Sequence, residues 1–373
     1  VSPLRVAVVG AGHLGRIHAK LLKQHSSVEI VGVVDPIPTA RALVESDLQL
    51  PTFAEIDSVI DRIDACVIAA PTTHHYRIAA QMLRHGIHCL VEKPLVLSSE
   101  EAVDLVDLAE QLGVVLQVGH VERFNPAWQA AQASLHDTRY VETQRCSGFS
   151  GRSTDIGVVL DLMIHDLDLV LQLTDSPIRR VEAFGQALLG KHEDWASARI
   201  TFDDGCIASL KASRVAPQPM RTMHAVTAQG WVDIDFSGPT ARVIEPCAAI
   251  AQHEVDFDYL APDQKQSVRE GLFQHWLPRR DLEIVPCNAI LEEQKDFVGA
   301  IVNHGSPQVT GVQAARTIEV AERILTCIER HAWYGPASHL HQMGPTALPM
   351  LSSESQVLEF GTHHQETERR KAA

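Results

Sequence analysis

The stretch Leu4-Arg5-Val6-Ala7-Val8-Val9-Gly10-Ala11-Gly12-His13-Leu14-Gly15 runs from a short apolar segment through a G-x-G-x-x-G turn into a helical pattern. It predicts the first strand, phosphate turn and helix of a dinucleotide-binding βαβ unit. Gly10 permits the tight turn, Gly12 lets the backbone approach a pyrophosphate, and Gly15 lets the helix lie close to the strand. The helix N-terminus, with His13 and Leu14 in its first turn, offers free N–H groups and the positive end of its dipole to an anion. Glycine-rich turns also arise for steric reasons alone, so the following segments decide. Val28 to Val34 is a second apolar, β-branched run, and it ends in Asp35, twenty residues beyond Gly15. A carboxylate there accepts hydrogen bonds from adenosine ribose hydroxyls and repels a 2′-phosphate, so NAD is the expected cofactor and NADP the less favoured one. The competing reading of Asp35 is a turn residue before Pro36.

The alternation continues. A helix is expected at 38–46, then a buried strand at 63–70 that stops at Pro71-Thr72-Thr73-His74-His75, then a helix to Arg84 with Gly86 as its stop. Strand 87–91 leads into Glu92-Lys93-Pro94, followed by a helix from Ser98 to Leu112, Gly113 and strand 114–118. Strands separated by helices of this length form a doubly wound parallel sheet, whose ligands sit at the carboxyl ends of the strands. Gly10 to Gly15, Asp35, Ala70 to His75, Glu92 to Pro94 and Gly119-His120 should therefore share one rim. After Gly119 the pattern changes. A strand at 139–147 and an amphipathic helix from Val158 to Leu173 precede strand-like runs at 178–188, 195–202, 206–214, 222–236 (broken at Gly230) and 281–286, with a hairpin at Asp203-Asp204-Gly205. This is an α+β arrangement on a largely antiparallel open sheet. Helices at 288–303 and 312–330 follow, without a signal for the surface they cover. The segment from Gly335 has no periodicity and is expected to be a mobile or partner-wrapped tail. The expected division is a Rossmann NAD-binding domain at 1–120, a substrate and oligomerisation domain at 121–334, and the tail at 335–373.

Composition narrows the class. A chain of 373 residues with 45% apolar content can bury the cores of two domains, and a formal net charge of −15 argues against nucleic acid or an anionic membrane as partner. An anionic substrate must be held by a local cluster of cations. The seven cysteines (66, 89, 146, 206, 247, 287 and 327) form no C-x-x-C pair, which fits neither a zinc ribbon nor a redox dithiol and suggests a reducing compartment. No apolar run reaches about eighteen residues, and the chain enters its first strand directly. A soluble cytoplasmic protein is expected.

Two groups of residues are candidates for chemistry. Lys93 sits at a strand end before a proline, where an extended backbone points the ammonium off the rim to stabilise an alkoxide as hydride leaves. A solvated strand-end lysine is the alternative. On a regular helix Asp161, His165 and Asp168 share one face, so Asp161 is expected to orient His165 and support its charge as a general base. A helical surface stripe is the alternative, opposed by the apolar residues around it. A shared zinc or manganese is a further rival, but no third ligand stands at a telling spacing, and no metal is expected.

These residues bring a family into view. Gly10-x-Gly12-x-x-Gly15 with Arg16-Ile17-His18, Ala70-Pro71-Thr72 with His75, Glu92-Lys93-Pro94, Arg123-Phe124-Asn125-Pro126 and Asp161-x-x-x-His165 resemble the Gfo/Idh/MocA oxidoreductases over about residues 4 to 330. The resemblance implies NAD(P)-dependent chemistry on sugar-like hydroxyls and an open C-terminal sheet serving as a homodimer or homotetramer interface. It carries catalytic roles onto Lys93, Asp161 and His165. Cofactor contacts fall on Gly10, Gly12, His13, Leu14, Gly15, Asp35, Ala70, Pro71, Thr72, His75, Glu92, Lys93, Pro94 and His120. Arg123, Asn125 and Arg152 are the candidate substrate contacts beside Asp161 and His165, and Arg214 is a further cation. The runs 119–126 and 155–166 are similar to members that act on UDP-N-acetylglucosamine at C3 in surface-glycan or lipid A synthesis. The chain departs from many members in having Val158-Val159 for a Gly-Gly pair, and in its tail. Dehydrogenation of inositols, free aldoses or another small carbonyl, and dinucleotide sensing without chemistry, are the alternative functions.

Overall fold

The computed structural model describes residues 2–151 and 155–331. The strands are β1 (Leu4–Val9), β2 (Val28–Val34), β3 (Thr52–Phe53), β4 (Ala65–Ile68), β5 (His88–Glu92), β6 (Leu116–Gly119), β7 (Thr138–Cys146), β8 (Ile178–Gln186), β9 (Trp195–Phe202), β10 (Ile207–Ser213), β11 (Met220–Thr227), β12 (Gly230–Asp235), β13 (Thr240–Ile244) and β14 (Arg279–Asp281). The helices are α1 (His13–Leu22), α2 (Pro38–Leu48), α3 (His75–Arg84), α4 (Ser99–Leu112), α5 (Pro126–Ala131), α6 (Ile164–Val170), α7 (Ala248–Ala251), α8 (Pro262–Gly271), α9 (Ala289–Val302) and α10 (Gly311–Arg330).

The first sheet has the order β3-β2-β1-β4-β5-β6, and its pairs are all parallel. Val6, Ala7, Val8 and Val9 of β1 are all buried, as a strand covered on both faces requires. Leu22 of α1, Val44 of α2 and Phe297 of α9 close one face, while Met82 of α3, Leu105 of α4 and Ala314 of α10 close the other. The turn after β1 depends on its glycines: Gly10 has φ +105°, and a Cβ on Gly15 would lie 1.8 Å from the Gly10 carbonyl oxygen. The expected stop and start signals operate at α4, where Ser98 accepts from the Glu101 N–H at 3.2 Å and Gly113 closes the helix at φ +65°. Such an N-cap contributes about 1 kcal/mol.

The second sheet has the order β14-β13-β12-β11-β7-β10-β9-β8, antiparallel except for the β7–β10 pair. One face carries Ile200, Phe202, Leu210, Met223 and Ile234 against Trp128 of α5, Leu167 of α6 and Ile324 of α10. Of the two last helices, α9 covers the first sheet, and α10 lies on α4, α6 and β8 together and so joins the two.

Three expectations are corrected. Strand 281–286 reduces to Arg279–Asp281, and β13 replaces it as the main partner of β12. The segment 248–271 contains α7 and α8. The helix expected from Val158 to Leu173 opens as a π-helical turn, Val159–Met163, before α6. A π turn holds more residues than an α turn and closes through i→i+5 hydrogen bonds. The expected tail, 335–373, lies outside the described residues.

Candidate active site

The glycine turn delivers β1 to the N-terminus of α1 without a side-chain cap, and the N–H groups of His13, Leu14 and Gly15 have no partner among the described residues. A Cβ on Gly12 would meet nothing within 4 Å, so its backbone faces open space. Unpaired N–H groups at a dipole's positive end beside such space fit a pyrophosphate. Asp35, at the end of β2, accepts from the Ala11 N–H at 2.7 Å and the Ile37 N–H at 2.8 Å. It lines a cavity of about 480 Å³ with Gly10, Ile37, Pro71 and His74, which suits an adenosine.

A second cleft, of about 260 Å³, adjoins this one through Ala70 and Pro71. Leu14, Thr72 and Lys93 line it from the first sheet, and Ile156 and Asp161 line it from the segment over the second. The Lys93–Pro94 peptide is cis. Lys93 Nζ donates to the Asp161 carbonyl at 2.5 Å and to Asp161 Oδ1 at 3.0 Å. An ammonium has three N–H donors, so one remains for a ligand. His165 is half-buried, its side chain makes no hydrogen bond among the described residues, and its Nδ1 is buried. Burial first, then the charges of Lys93, Arg145, His120 and Arg221, hold its pKa well below the ordinary 6.5. The ring is neutral at neutral pH and able to accept a proton.

The segment bearing Asp161 is tied down at its start. Glu193 Oε1 accepts from the Val159 N–H at 3.0 Å, and the carbonyl of Glu193 accepts from the Val158 N–H at 2.9 Å. Glu193 packs where any Cβ on Gly157 would fall, 2.0 Å from Oε1. Arg214 joins Asp194 at 2.5 Å to the Ile156 carbonyl at 2.8 Å. Neither Glu193 nor Asp194 stood out in the sequence, because a cap supplied from a distant loop has no local spacing.

Several sequence expectations change at this site. Asp161 engages Lys93, and no hydrogen bond joins it to His165 among the described residues. Asp168, expected on that face, is buried against Arg123, with bonds of 2.6 and 2.9 Å. Arg123 is thereby withdrawn from substrate. Asn125 is also engaged, capping α5 through the Ala127 N–H at 3.0 Å and donating to Glu122 at 2.9 Å. Arg214 is buried in its own pair, and Arg152 lies outside the described residues. His75, which lines the cleft, joins the carbonyls of Ala70 and Pro94, at 2.8 and 2.9 Å, and so ties two strand ends together. His120 is 1% exposed, so it lies behind the cleft, where burial pushes its pKa down.

Glu92 turns inward as well. It accepts from His18 Nε2 at 2.6 Å, and Gln294 donates to His18 Nδ1 at 2.9 Å. Glu293 of α9 lies within 4.8 Å of both, fully buried, with neither carboxylate oxygen partnered among the described residues. Burial, reinforced by the charge of Glu92, raises the Glu293 pKa well above its usual 4.5. Burial also pushes Glu92 up, but the His18 hydrogen bond and charge outweigh it and leave Glu92 below the usual value. A group with a raised folded pKa costs stability as pH climbs from the ordinary value towards the raised one. Glu293→Gln is therefore expected to raise Tm by an increment that grows with pH, measured by melts from acid to alkaline buffer. An equal Tm for both proteins at every pH would show that Glu293 is not held neutral.

A dinucleotide crevice opening onto a cleft with a bound ammonium and a neutral imidazole is the arrangement of an NAD-dependent oxidoreductase. The family model described as an oxidoreductase family with an NAD-binding Rossmann fold matches residues 4–120, and the GFO/IDH/MocA C-terminal domain matches residues 129–233. The chain belongs to the Gfo/Idh/MocA oxidoreductase family. UDP-N-acetylglucosamine 3-dehydrogenase of Acidithiobacillus ferrooxidans is 34% identical over 327 residues, which cover 87% of this chain and 97% of that one. A solved structure of that enzyme superposes with TM-score 0.76 and 32% identity, covering 88% of this chain and 99% of the other. The scyllo-inositol 2-dehydrogenase (NAD(+)) of Bacillus subtilis is 29% identical, with 57% of this chain and 68% of that one covered. No helix among the described residues is long and apolar enough to cross a membrane.

Proposed function

We propose that the chain oxidises a ring hydroxyl of a nucleotide sugar, UDP-N-acetylglucosamine at C3, to the keto sugar, and so feeds amino-sugar synthesis for surface glycans or lipid A. The observation that carries the choice of substrate is the likeness, over 97% of its length, to an enzyme named for that reaction. When bound, NAD supplies the hydride acceptor. Residues 1–120 hold it, with Gly10, Gly12, His13, Leu14, Gly15 and Asp35 along the dinucleotide and Ala70, Pro71, Thr72 and Lys93 nearer the reacting end. Residues 121–334 cover the sugar. Nε2 of His165 takes the hydroxyl proton, which requires the ring's own proton to stand on Nδ1. The free N–H of Lys93 donates to the same oxygen as negative charge grows there, and Asp161 keeps the ammonium charged and aimed. The partly exposed face of the second sheet, which carries Trp231 and Met220, is our candidate for contact between copies. The seven free cysteines suit a reducing cytoplasm.

Thermal protection and NADH formation are to be measured with UDP-N-acetylglucosamine, N-acetylglucosamine and inositols, each with NAD. The expected result is protection and turnover with the nucleotide sugar. Faster turnover of an inositol would sink this reading in favour of the inositol dehydrogenase alternative. Cofactor binding without turnover on any compound would favour a sensor.

A further inference from the structure

Arg221 stands near the start of β11, and the register sets it directly opposite Arg145 of β7. Residues opposed across an antiparallel ladder put their side chains on the same face, so both belong to the face that the 159–170 segment covers. Like charges in that relation repel. Arg145 is compensated, holding Asp166 at 2.7 Å and Glu122 at 2.7 Å in the interior. The Arg221 residue is exposed, and its side chain has no hydrogen bond, ion pair or ring partner among the described residues. Its backbone is held all the same, since the Arg221 carbonyl accepts from the Phe236 N–H at 2.9 Å. A fixed strand end thus presents an uncompensated cation next to the element that carries His165.

Two further observations bear on what it meets. The field of Arg221 reaches His165 and Asp166, disfavouring the imidazolium of one and favouring the carboxylate of the other. Arg123 and Arg214, the described cations that the sequence offered to substrate, are buried in ion pairs. In a chain of net charge −15, an anion entering this cleft needs a local positive group. A guanidinium offers five donors in a planar fork that matches pairs of phosphate oxygens, whereas an ammonium offers only a point charge.

We infer that Arg221 binds the anionic part of the substrate, the phosphate groups of a nucleotide sugar, and so fixes the sugar ring against Lys93 and His165. This rests on the nucleotide-sugar reading above.

The test compares the full chain with Arg221→Gln and Arg221→Lys, all with saturating NADH, by thermal protection with UDP, UDP-N-acetylglucosamine and inorganic pyrophosphate. Arg221→Gln is expected to weaken the uridine compounds at least tenfold, Arg221→Lys less. In turnover, KM for the nucleotide sugar should rise by a larger factor than kcat falls. Equal affinities in the unaltered protein and Arg221→Gln overturn the assignment. If uridine compounds fail to protect even the unaltered protein, it is the nucleotide-sugar reading that falls, and sugar phosphates and uronic acids become the probes. Protection by one of these that is lost in Arg221→Gln supports Arg221 as the anion site. Protection confined to neutral inositols or aldoses, or none by any anion, overturns it.

Discussion

Lys93→Ala is expected to lower kcat by about 10²–10³-fold or more while NAD affinity changes little, because the change removes a charge-stabilising donor aimed at the reacting oxygen. The backbone that carries Lys93 is set by β5 and by Glu92, whose carboxylate accepts from the Lys93 N–H at 3.2 Å, so removing the side chain leaves the cleft's frame in place. His165→Ala should cost a comparable factor, in the range of about 10²–10⁴-fold for a lost general base. The two losses should not multiply, since both groups act on one O–H bond. Because His165 titrates well below 6.5, the acid limb of kcat/KM in the unaltered enzyme should also lie below that pH. Turnover by Lys93→Ala within a few fold of the unaltered enzyme would remove the lysine from the mechanism. An acid limb above pH 6.5 would remove the histidine.

The cofactor half was legible because its signals are local. A glycine turn, an acid at the end of the next strand and β-branched runs at regular intervals each fall within one βαβ unit, and parallel connectivity then puts every strand end on one rim. The second half was legible only as a list of strands. Its order depends on pairings such as β7 with both β10 and β11, which no short window contains. The charged residues were the least legible of all. Arg123 and Arg214 have the appearance of substrate cations until their partners are known, and those partners stand 45 and 20 residues away. The same is true of Lys93, whose partner Asp161 is 68 residues on, while the i, i+4 spacing of Asp161 and His165 on a regular helix suggests a different pairing. The partner of each of these charges comes from a distant segment, and nothing in the neighbouring residue types announces it.

Arg145→Met should destabilise the protein by about 3–5 kcal/mol, the range for removing one member of a buried ion pair. Arg145 bonds Asp166 through Nε at 3.1 Å and Nη2 at 2.7 Å, and Glu122 through Nη1 at 2.7 Å. Without it, two carboxylates remain in the interior with little access to water. Their response to pH separates this cause from mere loss of packing. Burial already raises the Asp166 pKa, against the pull of Arg145, so losing the arginine raises it further. A carboxylate with a raised folded pKa is least harmful where it is protonated, and its cost increases as pH rises towards the folded value. The deficit of Arg145→Met, read from denaturant midpoints, is therefore expected to be small in acid and to widen with pH. Arg145→Met with Asp166→Asn should narrow it again at alkaline pH. Arg145 also opposes protonation of His165, so in any Arg145→Met protein that remains folded the acid limb of kcat/KM should shift upward. A deficit independent of pH would mean that the arginine acts through its volume, and that the charges beneath the catalytic helix are neutralised by some other route.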